Sequence, residues 1–186
     1  GNAYALKNEL AKATTAHDQA LALRVALVNE APKHTGFRNE LASTEIALGK
    51  LTATKNPKAG IELVRSGLAR ARLLVAADPI NHEWKETVTQ GLLATAEVAK
   101  LTGDPAARKA ALTEALAIAT QTAAAAPHNA QWPVFLAEIH GGLAEVDPRN
   151  AAAEWKAVRD LLEPLAKAGR LYAMRKPLLE RARLGR

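Results

Sequence analysis

Cysteine is absent from this 186-residue chain, which excludes disulfides, thiolate nucleophiles and Cys-ligated zinc together. Aromatics are nearly as scarce: two Phe, two Tyr and three Trp amount to 4% of the sequence, beside a single Met. A core with so few rings must rest on Leu, Ala and Val, which dominate the 48% hydrophobic fraction. No apolar run approaches the roughly 18 uninterrupted residues that a membrane span needs, so the chain is expected in the soluble phase. The opening GNAYALKNELAKA lacks Met and already has helical composition, as an excised or processed piece would. The compartment is therefore the cytoplasm or, if a membrane span precedes Gly1, the far side of that membrane.

The net charge of +6 is uneven. Arg170, Arg175, Lys176, Arg181, Arg183 and Arg186 oppose only Glu180 in the last segment, and the body is close to neutral. Such an end could meet an acidic partner, anionic lipid or nucleic acid by charge alone. It offers few base-contacting polar groups, so nucleic acid is the disfavoured partner. Leu171, Met174, Leu178 and Ala182 recur at roughly helical spacing, which predicts an amphipathic end cap, kinked or restarted by Pro177.

What the sequence does contain is a repeat. Pro32, Pro79 and Pro127 are each followed five residues later by a large aromatic, Phe37, Trp84 and Trp132, at intervals of 47 and 48 residues. Asn56-Pro57 and Asp104-Pro105 lie 48 apart and Asp147-Pro148 follows 43 later. An Asn or Asp accepts from the free N–H groups of a helix start, and Pro in the first turn loses no intrahelical bond. The spacing predicts helices over 36–54, 82–101 and 130–145 alternating with helices over 57–77, 105–125 and 148–168. Ala20-Leu21, Gly67-Leu68 and Ala115-Leu116 each fall twelve residues before the closing Pro, where a small side chain admits a neighbouring helix and Leu fills the groove. The three aromatics are expected as apolar plugs between units, with Trp155 covering the end of the stack.

Helical hairpins with an aromatic early in the first helix, a small residue in the second and Pro at its end resemble tetratricopeptide repeats. The junction phrases VAADPINHEW and AAAAPHNAQW are similar to those of long-unit arrays in bacterial multidomain proteins such as Ser/Thr kinases. The resemblance implies an all-α fold of tandem antiparallel hairpins in a right-handed superhelix. Residues 1–186 then form a single domain, with a partial first unit over 1–32, full units over 33–79 and 80–127, and a last unit with its capping helix over 128–186. It also implies a protein or peptide partner held on the concave face of the first helices, with Arg38, Glu45, His82, Lys85, Thr89 and His140 as candidate contacts.

Chemistry has little support. His34, His82 and His128 recur at the inter-unit turns as capping or solvated residues, and His17 and His140 lack the i, i+4 partner of a zinc helix. Gly141-Gly142 lacks the Lys and strand of a phosphate loop and suits close helix packing. The carboxylates are scattered among Lys and Arg rather than paired in a cleft. We therefore expect no enzyme, metal, cofactor or small-molecule substrate, and a scaffolding or recruiting module. The alternatives are a non-catalytic sensor or regulatory region of a larger bacterial signalling protein, and nucleic-acid binding through the basic end. The apolar face of a partial first unit also predicts self-association through Tyr4, Leu6 and Leu10.

Overall fold

The computed structural model describes residues 10–185, with side chains from residue 12 onward. Tyr4 and Leu6, and the side chain of Leu10, lie outside the described residues, and with them the predicted self-association face. Every regular element among the described residues is helical, with no strand.

The caps written in the sequence start the helices. Helix α1 (Leu10–Glu30) is followed by α2 (Thr35–Ala53), α3 (Pro57–Ala77) and α4 (His82–Thr102). Asn56 Oδ1 accepts from the Ala59 N–H at 3.2 Å and Asn81 Oδ1 from that of Trp84 at 3.2 Å. At α2 a histidine takes this role: His34 Nδ1 accepts from the Phe37 N–H at 3.1 Å, and its ring stacks on Phe37 at 3.9 Å between centroids. Gly103, with φ at +71°, closes α4 in the left-handed geometry that costs glycine least. Then come α5 (Pro105–Ala125), α6 (Gln131–Val146), α7 (Ala151–Lys167), a 3₁₀ turn (Ala173–Arg175) and α8 (Lys176–Leu184).

The helix over 148–168 is shorter than its spacing predicts, running from Ala151 to Lys167. The Asp147 carboxylate accepts from the Arg149 N–H, but no helix begins at Pro148. The Asp147 Oδ2 is taken by Lys109 Nζ at 2.7 Å and by Asn150 Nδ2 at 3.1 Å, and Pro148–Asn150 form a turn.

The chain divides into two compact units, Gly1–Asp104 and Pro105–Arg186. Their boundary falls inside the expected repeat 80–127, between its two helices. In the first unit α2 packs against α1, α3 and α4, and α3 against α4. Contact between α2 and α3 depends on missing side chains: a Cβ on Gly60 would stand 2.5 Å from Ala53 Cα, and one on Gly67 2.6 Å from the Ala42 carbonyl oxygen. Around this approach Ile46, Ala53, Val64, Ala94 and Val98 form one buried cluster. Each large aliphatic so buried contributes about 1.5–3 kcal/mol.

In the second unit α6 packs on α5, α7 and α8, and α7 on α8. Trp155, Val158, Leu162, Leu179 and Ala182 form its core with Ala137 and Ala144. Gly141 admits Leu178 of α8, Gly142 admits Leu112 of α5, and helix α6 runs through both. Pro177 sits in the first turn of α8, so it restarts the chain after the 3₁₀ turn instead of kinking a longer helix. The repeat aromatics differ in depth: Trp132 is fully buried and meets Phe135 edge-on at 5.5 Å, Trp84 is buried, and Phe37 is half-exposed on its histidine cap.

Candidate functional site

Successive helical residues are offset by about 100°, so four positions with spacing 4, 3, 4 share a face. On α2 the stripe 38, 42, 45, 49 faces α3: Ala42 and Glu45 border Gly67, and Gly49 borders Val64 and Gly60. Arg38 and Glu45 therefore stand on the side turned toward α3. Glu45 is buried, accepting from Ser66 Oγ at 3.1 Å and Arg70 Nε at 2.9 Å. This pair holds the hairpin together.

On α4, His82 is exposed in the first turn, Lys85 is half-buried, and Thr89 is fully buried with its hydroxyl donating to the Lys85 carbonyl at 2.9 Å. In the second unit His140 Nδ1 lies 2.6 Å from Glu154 Oε2, bridging α6 and α7. Glu45, Thr89 and His140 thus have internal partners, whereas His82 is open to solvent.

The sequence reading passed over the seam between α2 and α4. Asn39 is buried on α2, and its Nδ2 donates to Glu83 Oε1 at 3.1 Å. Its Oδ1 is enclosed and has no donor. One helical turn past Glu83, the half-buried Glu86 accepts from Gln90 Nε2 at 3.4 Å. Burial raises the Glu86 carboxyl above the ordinary carboxylate value, and the charge of Glu83 adds to the shift. No Lys or Arg among the described residues forms an ion pair with either glutamate. Asn39 and Glu83 thus meet across the seam, and Glu86 stands one turn further along α4. Asn39 and Glu86 occupy equivalent places, 47 apart, in the two repeats, and a search for polar residues at matching repeat positions would have found them.

Next to this seam, Arg24 of α1 reaches α2 through the Thr44 hydroxyl and Glu40, the latter at 3.3 Å. On α1 the buried His17 is held below its usual value by burial, with Arg24 contributing. Among the described residues no group of three or more His, Asp or Glu side chains could hold a metal ion. No helix among them is long and apolar enough to cross a membrane.

The fold and this surface define the class: an all-α protein of consecutively packed helices with a polar contact, Asn39 to Glu83, between two of them. Comparison with protein-family models, curated proteins and solved structures finds no match.

Proposed function

We propose that the chain is a non-catalytic interaction module of the tetratricopeptide-like kind, in which the first helices of the repeats take a peptide or a partner domain. The direct packing of α2 on α4, with α3 against both, supports this reading within the first unit. In such an arrangement the first helices share one surface and the second helices back it.

The single observation that carries the reading is the unsatisfied seam. A buried carbonyl oxygen without a donor costs about 1–3 kcal/mol; it stands beside the exposed Glu83, and the half-buried Glu86 follows one turn along α4, neither with an ion pair among the described residues. An incoming chain with N–H or cationic donors reaches the two carboxylates from the α4 side, while the Asn39 oxygen stays enclosed. Of the resemblance-based candidates, His82 and Lys85 remain surface contacts in this reading, while Glu45, Thr89 and His140 support the scaffold.

Selection from a random peptide library against the full chain tests the proposal. Enriched peptides should bind saturably and lose affinity with Glu83→Gln or Glu86→Gln, while Lys58→Gln on the exposed start of α3 leaves them unaffected. Peptides indifferent to both seam substitutions, or no enrichment at all, would sink it.

A further inference from the structure

The basic C-terminal segment yields a second surface, distinct from the α2/α4 seam. Most of its arginines are already neutralised within the second unit. Arg175 pairs with Glu138 at 2.6 Å, Arg181 with Glu145 at 2.6 Å, and Arg183 with Glu163 through two bonds of 2.8 and 3.0 Å. Arg159 Nη1 donates to the Ala182 carbonyl at 2.6 Å. These bonds fasten the 3₁₀ turn and α8 to α6 and α7. Among the described residues, Arg170 and Lys176 have no such partner.

Both unpaired cations stand at recesses on either side of Leu171. One, of about 260 Å³, is lined by Leu171, Leu179, Lys176, Glu180 and Arg183, among others. The other, of about 280 Å³, is lined by Val134, Leu165, Arg170, Leu171 and Tyr172, among others. Each falls below the roughly 300–1,000 Å³ of pockets that enclose a whole small ligand, so each suits one bulky side chain. Large apolar groups are exposed on the same segment: Tyr172 at 70%, Met174 at 51% and Leu184 at 65%. Apolar exposure of this density beside concave ground marks an interaction site.

We propose that the two recesses flanking Leu171 form a docking surface for an acidic peptide, with bulky apolar side chains seated in the recesses and carboxylates directed to Arg170 and Lys176. Charge complementarity fixes the sign of the partner. The lining carries Arg170, Lys176 and the already paired Arg183 against Glu180 alone. Two point charges set around apolar hollows favour a peptide over a polyanion. A nucleic-acid strand or an anionic bilayer would draw on the whole basic segment, and its three other described arginines are committed to glutamates.

The test uses fluorescein-labelled hexapeptides carrying Leu-Asp-Glu-Leu or Phe-Asp-Glu-Phe, with Asn-Gln counterparts, titrated with the full chain by anisotropy. The acidic peptides should bind saturably and the Asn-Gln forms about tenfold more weakly. Arg170→Ala should weaken binding about threefold to fivefold, and Tyr172→Ala, at a largely exposed position, should weaken it without lowering the melting temperature. Arg149→Ala, exposed elsewhere in the unit, should have no effect. Equal binding of acidic and neutral peptides, no saturable binding, or equal effects of Arg170→Ala and Arg149→Ala would each overturn the proposal. So would binding of a dT20 oligonucleotide or phosphatidylserine vesicles that responds to Arg170→Ala while the peptides do not.

Discussion

Asn39 and Glu83, 44 residues apart in sequence, meet at 3.1 Å where α2 crosses to α4, and the amide that donates to the carboxylate leaves its own oxygen without a partner. The bond depends on the amide end being N–H. Asn39→Asp would set a buried carboxylate against that of the exposed Glu83, at a cost of about 1–3 kcal/mol at pH 7. Thermal melts should show the loss at pH 7 and recovery near pH 4, where the added acid protonates. A loss independent of pH would mean that shape, not charge, matters there.

Glu86 has its carboxyl raised by burial and by Glu83. The unfolded chain therefore ionises first as pH rises. Stability from this group is full below the unfolded value near 4.5 and is lost as pH passes the higher folded value. Glu86→Gln should accordingly raise the melting temperature at pH 7 and leave it unchanged at about pH 3.5. Melts across that range check the sign.

His17 works in the other direction. Burial lowers its folded value below the ordinary 6.5, so the unfolded chain takes up the proton first on acidification. Its contribution is present above 6.5 and fades as pH falls toward the folded value. Chemical denaturation at pH 7.5 and 5.5 should show a smaller acid loss for His17→Gln than for the parent chain.

Gly60 and Gly36 separate propensity from space. Alanine gains about 1 kcal/mol over glycine in an exposed helix. At Gly60 the added carbon would lie 2.5 Å from Ala53 backbone, so Gly60→Ala should destabilise by about 1–3 kcal/mol. At Gly36 the nearest atoms belong to the exposed His34 ring at 3.1 Å, whose turning aside gives up its cap on Phe37, so the helix gain and the cap loss offset and Gly36→Ala should cost less than Gly60→Ala. Denaturant midpoints of the two variants should move in different directions or by clearly different amounts.

Glu145 holds two arginines of unequal depth. Arg108 is buried at 2.5 Å, with its Nε lacking a partner, and Arg181 is exposed at 2.6 Å with its guanidinium 5.1 Å from the Trp155 ring centre. Glu145→Ala strands a buried cation and should cost about 3–5 kcal/mol. Arg181→Ala removes only an exposed pair and a cation–π contact and should cost about 1–2 kcal/mol. Equilibrium unfolding in urea orders the two.

The helices were legible because their signals are local. Asn56-Pro57 announces a start in the sequence, and the cap forms there. Gly67 was legible as a close approach for the same reason: a side chain cannot be fitted where a helix must pass. After Asp147 the helix begins only at Ala151, and the carboxylate also takes Lys109, 38 residues away, a partner that no local rule sees. Surface assignment likewise needs the packing. A period places Arg38 and Glu45 on one stripe, but only the packing of α3 on that stripe tells which way it turns. The unpaired seam at Asn39 lay further out of reach, since a missing partner becomes visible only when all neighbours are in place.

The depth of the repeat aromatics gives the molecule its own spectroscopic labels. Trp84 is the one indole of the first unit, while Trp132 and Trp155 belong to the second. All three are shielded from water, so native emission should be shifted to the blue and resist acrylamide. In Trp132→Phe/Trp155→Phe the remaining fluorescence reports the first unit alone, and in Trp84→Phe the second. Whether the two halves melt together or in succession can then be read from light emitted by residues that the repeat itself put in place.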